Sequence, residues 1–270
     1  MDNKQAIVNL QVTGAADVSL YVHDERDQVI SQTLRTTQVW EPYETSLLVR
    51  MLQPGDTFVD VGANIGYFSL LAASCVGAGG HVFAFEPDPD NAALFNASIA
   101  LNGFEQRIEL VEAGLSDSAQ RGALYLSADN LGDHQIYAGA EARPSVPIKL
   151  LRGSDYLQDR LKRIDLLKID TQGSEYQVVD GLLPLLQRLP PTLRIMLELT
   201  PYSLRQAGAS GRALIGLLGT LQQPMWIIDH IEHRLVACPA EELARWCDNV
   251  DATEGDQGFM NILIGPGLRD

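Results

Sequence analysis

The sequence predicts an α/β fold, a mostly parallel sheet with helices on both faces, and three observations carry that expectation. Short apolar runs of strand length, at 57–61, 81–85, 165–169 and 193–199, recur along the chain. Segments with helical spacing separate them, such as 91–101, where Leu94, Phe95, Ile99 and Leu101 share a stripe. Turn formers stand at the junctions, in Pro54-Gly55-Asp56, Ala78-Gly79-Gly80 and Asn102-Gly103.

In chain order, 6–12 and 18–22 alternate as two early strands, and a polar link leads to a helix over 43–52. Residues 1–53 are therefore expected to be an accessory region, and 54–270 the main domain. The first core strand, 57–61, enters a glycine turn at 62–66, followed by a helix over 67–73 and a strand over 81–85. The helix 91–101 and a strand at 108–112 follow. Regular alternation then stops for an insertion at about 116–163, with strand-like pieces at 123–127 and 146–150 around a polar loop, 129–139. Such insertions are usually functional or disordered. Alternation resumes with strand 165–169, helix 176–189 stopped by Pro190-Pro191, strand 193–199, helix 211–221, strand 225–229, a return strand at 234–237 and a last strand at 261–264.

At 270 residues the chain is long enough for one domain with a large core. A net charge of −15 argues against nucleic acid or an anionic membrane as the main partner. A neutral or cationic substrate fits better. Three scattered cysteines give neither a disulfide framework nor zinc-ligand spacing, as suits a reducing cytosol. The first five residues lack a basic leader and no apolar run reaches membrane length, so a soluble cytoplasmic protein is expected; a homodimer is left open.

The most informative stretch runs from the strand ending Asp60-Val61 through Gly62-Ala63-Asn64-Ile65-Gly66 to the strand that stops at Glu86-Pro87. Strand, glycine turn, helix, strand and acid together describe a nucleotide site, the acid accepting from ribose hydroxyls. Asn64 occupies the position of a dinucleotide motif's second glycine, so a ligand without a diphosphate is favoured, and S-adenosylmethionine fits. Asp60 is then expected to face its ammonium group, the 62–66 backbone (Gly62, Ala63, Asn64, Gly66) to pass under its tail, Glu86 and Pro87 to flank the ribose, and Ser116 and Asp117 to stand near the adenine. Taken singly, carboxylates after strands are as readily helix caps. Asp60, Glu86, Asp170 and Glu198 nevertheless all follow core strands and are expected to line one crevice.

The segment 54–66, Ala84-Phe85-Glu86-Pro87-Asp88, and Leu167-Lys168-Ile169-Asp170-Thr171-Gln172-Gly173-Ser174-Glu175 together resemble the FkbM family of methyltransferases, over about residues 40–264. The resemblance implies a Rossmann-like class I methyltransferase fold, a seven-stranded sheet whose last strand is antiparallel. It also implies S-adenosylmethionine as methyl donor, S-adenosylhomocysteine as product, and a hydroxyl oxygen of a sugar or other small molecule as acceptor. Two departures stand out. The family pattern has Val-Glu-Gly where this chain has Thr171-Gln172-Gly173, and the segment 129–137 has no counterpart tied to a substrate.

Methyl transfer to an alcohol requires alignment, exclusion of water and a proton acceptor. His134 in the insertion and Asp170 at its strand end are the candidate bases, and Lys168 is expected on the same side as Asp170 to hold it ionised. Glu198, Asp133 and Tyr43 are candidates for acceptor binding, and Trp40, Glu41 and Tyr43 for a lid. No metal is assigned, although Asp170, Asp133 and Asn130 are considered as an alternative oxygen set for Mg²⁺. A non-catalytic cofactor-binding module and a nicotinamide-dependent oxidoreductase are the other readings.

Overall fold

The computed structural model describes residues 6–139 and 142–268; residues 1–5, over which no leader is expected, lie outside them. Two short antiparallel strands, β1 (Ala6–Asn9) and β2 (Ser19–Val22), precede helices α1 (Ile30–Thr37) and α2 (Pro42–Met51). The core follows as β3 (Thr57–Val61), α3 (Tyr67–Val76), β4 (His81–Phe85), α4 (Pro89–Asn102) and β5 (Ile108–Val111). The insertion supplies β6 (Gly114–Ser116), β7 (Gln120–Tyr125), β8 (Ser145–Arg152) and α5 (Gly153–Leu157). The chain continues through β9 (Leu166–Ile169), α6 (Glu175–Leu186), β10 (Arg194–Leu199), α7 (Pro201–Gln206) and α8 (Gly211–Gly219). It closes with β11 (Met225–Asp229), β12 (Arg234–Ala237), α9 (Ala240–Ala252) and β13 (Met260–Ile264).

The main sheet has the order β12-β11-β13-β10-β9-β3-β4-β5. From β10 to β5 the pairing is parallel, and β13, last in the chain, runs antiparallel between β10 and β11. These seven strands are the sheet of the Rossmann-like class I methyltransferase fold. An eighth, β12, extends it as an antiparallel hairpin with β11 beyond the seven implied by the resemblance.

Side-chain alternation splits the core into two layers, because successive residues of a strand face opposite sides. Phe58, Leu166 and Met196 pack with α2, α3 and α4, whereas Val59, Val61, Leu167, Ile169 and Leu197 pack with α6 and α8. By the same alternation Asp60, Lys168 and Glu198 belong to the α2–α3 side. That placement shapes the site.

Helix α4 is fixed at both ends: Asp88 accepts the Asn91 N–H at 3.0 Å, Pro89 takes the first turn, and Gly103 closes it in the left-handed region at φ 66°. Strand β2 docks on its flank, with the Ser19 and Tyr21 N–H groups donating to Asn102 Oδ1 and Ser98 Oγ, each at 2.9 Å. The insertion folds into its own sheet, β6-β8-β7, and its polar loop bridges back through Tyr125 and Gln135.

Helices α1, α5, α7 and α9 are not expected from the sequence. Helix α1 buries only Ser31 and Leu34 and so reads as a polar link, while α5 and α7 are single short turns. Helix α9 buries Leu243, Ala244, Cys247 and Val250 along one stripe interleaved with charged residues. Cys75, Cys238 and Cys247 are free thiols. Among the described residues no helix is long and apolar enough to cross a membrane.

Candidate active site

A cleft opens at the carboxyl ends of β3, β4 and β9. Gly62, Asn64, Glu86 and Pro87 form one wall, Gly114 and Leu115 an end, and Asp170 to Gln172 the far side. Leu131, Gly132, His134 and Ile136 of the insertion roof it. Glu86 is 5% exposed; its Oε2 accepts the Asn64 N–H at 2.7 Å and its Oε1 the Asp88 N–H at 2.8 Å. Burial, against those two bonds, pushes its carboxyl up to about 7. Each oxygen keeps a further lone pair for a ligand hydroxyl.

The turn owes its glycines to protein packing more than to a ligand. Gly62 (φ 83°) does line the cleft, yet a Cβ there would strike the Asp170 carbonyl, and one on Gly66 (φ 91°) would strike the Phe95 ring of α4. Asn64, left-handed at φ 51°, turns its side chain to the roof, where Asn64 Nδ2 and Asn91 Nδ2 both donate to the Leu131 carbonyl at 3.0 and 3.3 Å. Asp27 accepts the N–H of the same residue, Leu131, at 3.4 Å. The insertion is thereby clamped over the cleft.

Several of the residues expected at the cofactor do not line the cleft. Asp60 faces away from the cleft: its Oδ2 accepts the Ser69 hydroxyl at 2.7 Å, and burial, against the attraction of Lys168, raises its carboxyl to about 6. Ala63 and Gly66 are turned into the core, and Ser116 and Asp117 lie beyond the lining, where Gly114 and Leu115 stand instead. Glycine and leucine on a short strand carry no sequence signal for a ligand.

His134 lies in the roof with its side chain 8% exposed. Its Nδ1 accepts the Ser127 N–H at 3.1 Å, so the neutral ring carries its proton on Nε2, which faces Asp88 Oδ2 at 3.9 Å. Burial lowers its pKa, partly opposed by Asp88. The ring has no free lone pair with which to serve as the expected base. Asp133 pairs with Arg143 at 2.7 Å and lines a separate surface groove, while Asn130 Oδ1 accepts the Gly132 N–H at 3.1 Å, so neither reaches Asp170 as the alternative Mg²⁺ set requires. Tyr43 stacks on His233 at 5.3 Å and is not part of this cleft's lining; the expected lid is instead a packed helix start.

Asp170 does stand where the sequence places it, and it has company. Lys168 Nζ donates to Asp170 Oδ2 at 2.9 Å, and Gln172 Nε2 donates to Asp170 Oδ1 at 2.7 Å and to Glu198 Oε2 at 3.0 Å. Asp170 also borders a second, much smaller cavity, with room for about one water-sized group, lined by Glu44, Lys168, Glu198 and Asn261. Burial disfavours the Lys168 charge, but Asp170, Glu41, Asp60 and Glu44 outweigh it and hold the ammonium above the ordinary lysine pKa. Burial and the neighbouring Glu44 push Glu41 well up, and burial and Asp170 do the same for Glu198. Glu175 is structural: one of its oxygens accepts Thr171 N–H and Oγ1, both at 2.9 Å, and fixes the turn after Asp170.

A family model described as the methyltransferase FkbM domain matches residues 60–220, more than half of the chain. The chain belongs to the FkbM methyltransferase family. This member is 30% identical over 159 residues to "Methyltransferase sdnD" of Sordaria araneosa, covering 47% of this chain and 61% of that one. It is 28% identical over 150 residues to "Methyltransferase 1" of Beauveria bassiana (strain ARSEF 2860), covering 48% and 59%. The chain thus spans about three fifths of the length of these curated relatives. A solved FkbM structure, from Methylobacillus flagellatus KT, superimposes at a TM-score of 0.47 and 13% identity over 89% of this chain and 61% of that one.

Proposed function

We propose that this FkbM-family chain transfers a methyl group from S-adenosylmethionine to a hydroxyl oxygen of a small-molecule or carbohydrate acceptor. The observation that carries the reading is the junction at Asp170, among the described residues the one carboxylate bordering both the large cleft and the small polar cavity. The large cleft suits the cofactor, with Glu86 placed for the ribose and Pro87, Gly114 and Leu115 for the apolar base. Bound there, the sulfonium supplies the electrophilic methyl. The acceptor approaches from the Asp170 side. Asp170, held by Lys168 and Gln172, takes or orients the acceptor proton, and Glu198, with its raised proton affinity, stands one hydrogen-bond partner away. The closed roof excludes water from the reacting atoms.

A nicotinamide dinucleotide is the poorer occupant, because Ile65, Gly66 and Tyr67 at the start of α3 are not part of the cleft lining and offer no helix terminus to a diphosphate. The proposal is tested by calorimetry with S-adenosylhomocysteine, then by methyl transfer from labelled S-adenosylmethionine into a cell extract with wild type and Asp170→Asn. Tight cofactor binding by both, with label transferred by the wild type alone, supports it. Failure to bind S-adenosylhomocysteine overturns it, and equal binding with no transfer by either leaves the cofactor-binding module as the better reading.

A further inference from the structure

We propose that the small cavity beside Asp170 binds a protonated amine of the acceptor, so that the acceptor is an amino alcohol or amino sugar methylated on a nearby oxygen. The inference rests on the methyltransferase reading and specifies its acceptor. Five carboxyl groups, of Glu41, Glu44, Asp60, Asp170 and Glu198, gather around the single ammonium of Lys168. Lys168 is committed to Asp170 at 2.9 Å and to the Phe68 ring at 4.6 Å. Asp60 is satisfied by Ser69. That leaves Glu41, Glu44 and Glu198 with the Gln172 amide and, at the rim, the partly exposed imidazole of His230.

Glu44 supplies an independent sign of a missing ligand. Its residue is 3% exposed, it lines the cavity, and its Oε1 lacks a hydrogen bond, facing only the ion-pair contact of His230 Nε2 at 3.4 Å. The neighbouring Glu41 Oε2 is likewise buried and unpartnered, on a residue held at φ 43°. Buried acceptors left unsatisfied are costly and call for a donor. The cavity has room for about one water-sized group, so it takes the ammonium itself and leaves the carbons that bear it outside. An ammonium offers three donors and a positive charge to the carboxyls of Glu44 and Glu198 that line the cavity. A neutral hydroxyl would satisfy one acceptor and leave the charge. Among the described residues no three His, Cys, Asp or Glu side chains converge as metal ligands, which favours an amine over a divalent ion.

The test uses 2-aminocyclohexanol, its N-acetyl derivative and 1,2-cyclohexanediol as probes, each titrated by ligand-observed NMR into protein saturated with S-adenosylhomocysteine. The amine should bind at least about tenfold more tightly than the other two, and Glu44→Gln and Glu198→Gln should each remove most of that preference. Cofactor affinity of Glu44→Gln, measured in parallel, should stay at the wild-type value and certifies that the variant is folded. The amine binding no better than the diol, whether both bind or neither does, overturns the proposal. So does displacement of the amine by Mg²⁺ as effective as by a competing amine. Loss of S-adenosylhomocysteine binding by the wild type would instead strike the methyltransferase reading beneath it.

Discussion

Gln172 closes on Asp170: its side-chain Nε2 donates to Asp170 Oδ1 at 2.7 Å, from a residue held in the left-handed region at φ 54°. The same nitrogen reaches Glu198 Oε2 at 3.0 Å, so one neutral amide, with a hydrogen for each, separates two carboxylates. The family pattern that the chain resembles carries Glu at this place. Here the amide is what lets Asp170 and Glu198 stand side by side.

Gln172→Glu should therefore set three carboxylates against one another. We expect a loss of about 1–3 kcal/mol of stability at pH 8, largely recovered near pH 5 where the raised carboxyls hold their protons. Chemical denaturation at the two pH values checks it; an equal loss at both would mean that shape, not charge, is at issue.

Glu86 gives the apo protein a pH dependence with a definite sign. The folded chain keeps the Glu86 proton up to about 7, whereas the unfolded chain releases it near the ordinary 4.5. Between those values the unfolded state binds fewer protons, so stability falls as pH rises. The contribution, on the order of 3 kcal/mol, is fully present below 4.5 and gone above about 7. Asp60 adds a smaller fall of the same sign ending near 6. Glu86→Gln should flatten the upper part of this slope, read from urea midpoints across pH 4.5–8.

Lys168 holds the acid cluster together. Lys168→Met leaves Asp170 and Asp60 without their cation, and breaking a buried pair from one side costs about 3–5 kcal/mol. A melting temperature unchanged at pH 7.5 would show that the carboxylates are satisfied without it.

Much of this architecture is legible in the sequence because the core strands are short apolar runs with turn formers at both ends. The strands at 225–229 and 234–237 fall where they are expected, and β3 and β4 likewise. The acid positions Glu86 and Asp170 are legible for the same reason: a parallel sheet brings the residues after its strands to one edge, whereas Glu198 stands inside β10 and does not line the large cleft. Asp60 is a second exception. It sits inside β3, and strand alternation sends it to the helical face with Ser69. Glu44 carries no signal, since a glutamate on an amphipathic helix reads as solvated until the fold buries it against β9 and β10. Asn261 does carry one, a lone amide in an otherwise apolar strand.

The roof over the cleft depends on asparagine amides at a single carbonyl. Asn91→Ala removes the Leu131 contact and the His23 contact at 2.7 Å. Amide hydrogen exchange over 129–137 should quicken, and S-adenosylhomocysteine affinity should drop several-fold as the cover loosens. Unaltered exchange would mean that Asn64 and Asp27 suffice.

The most direct measurement is a crystal structure of the chain grown with S-adenosylhomocysteine. The expected result has the ribose hydroxyls on Glu86, the base between Pro87 and Leu115, and the sulfur directed toward Asp170 and the small cavity behind it. A vacant cleft, or the nucleoside bound elsewhere on the molecule, contradicts the assignment.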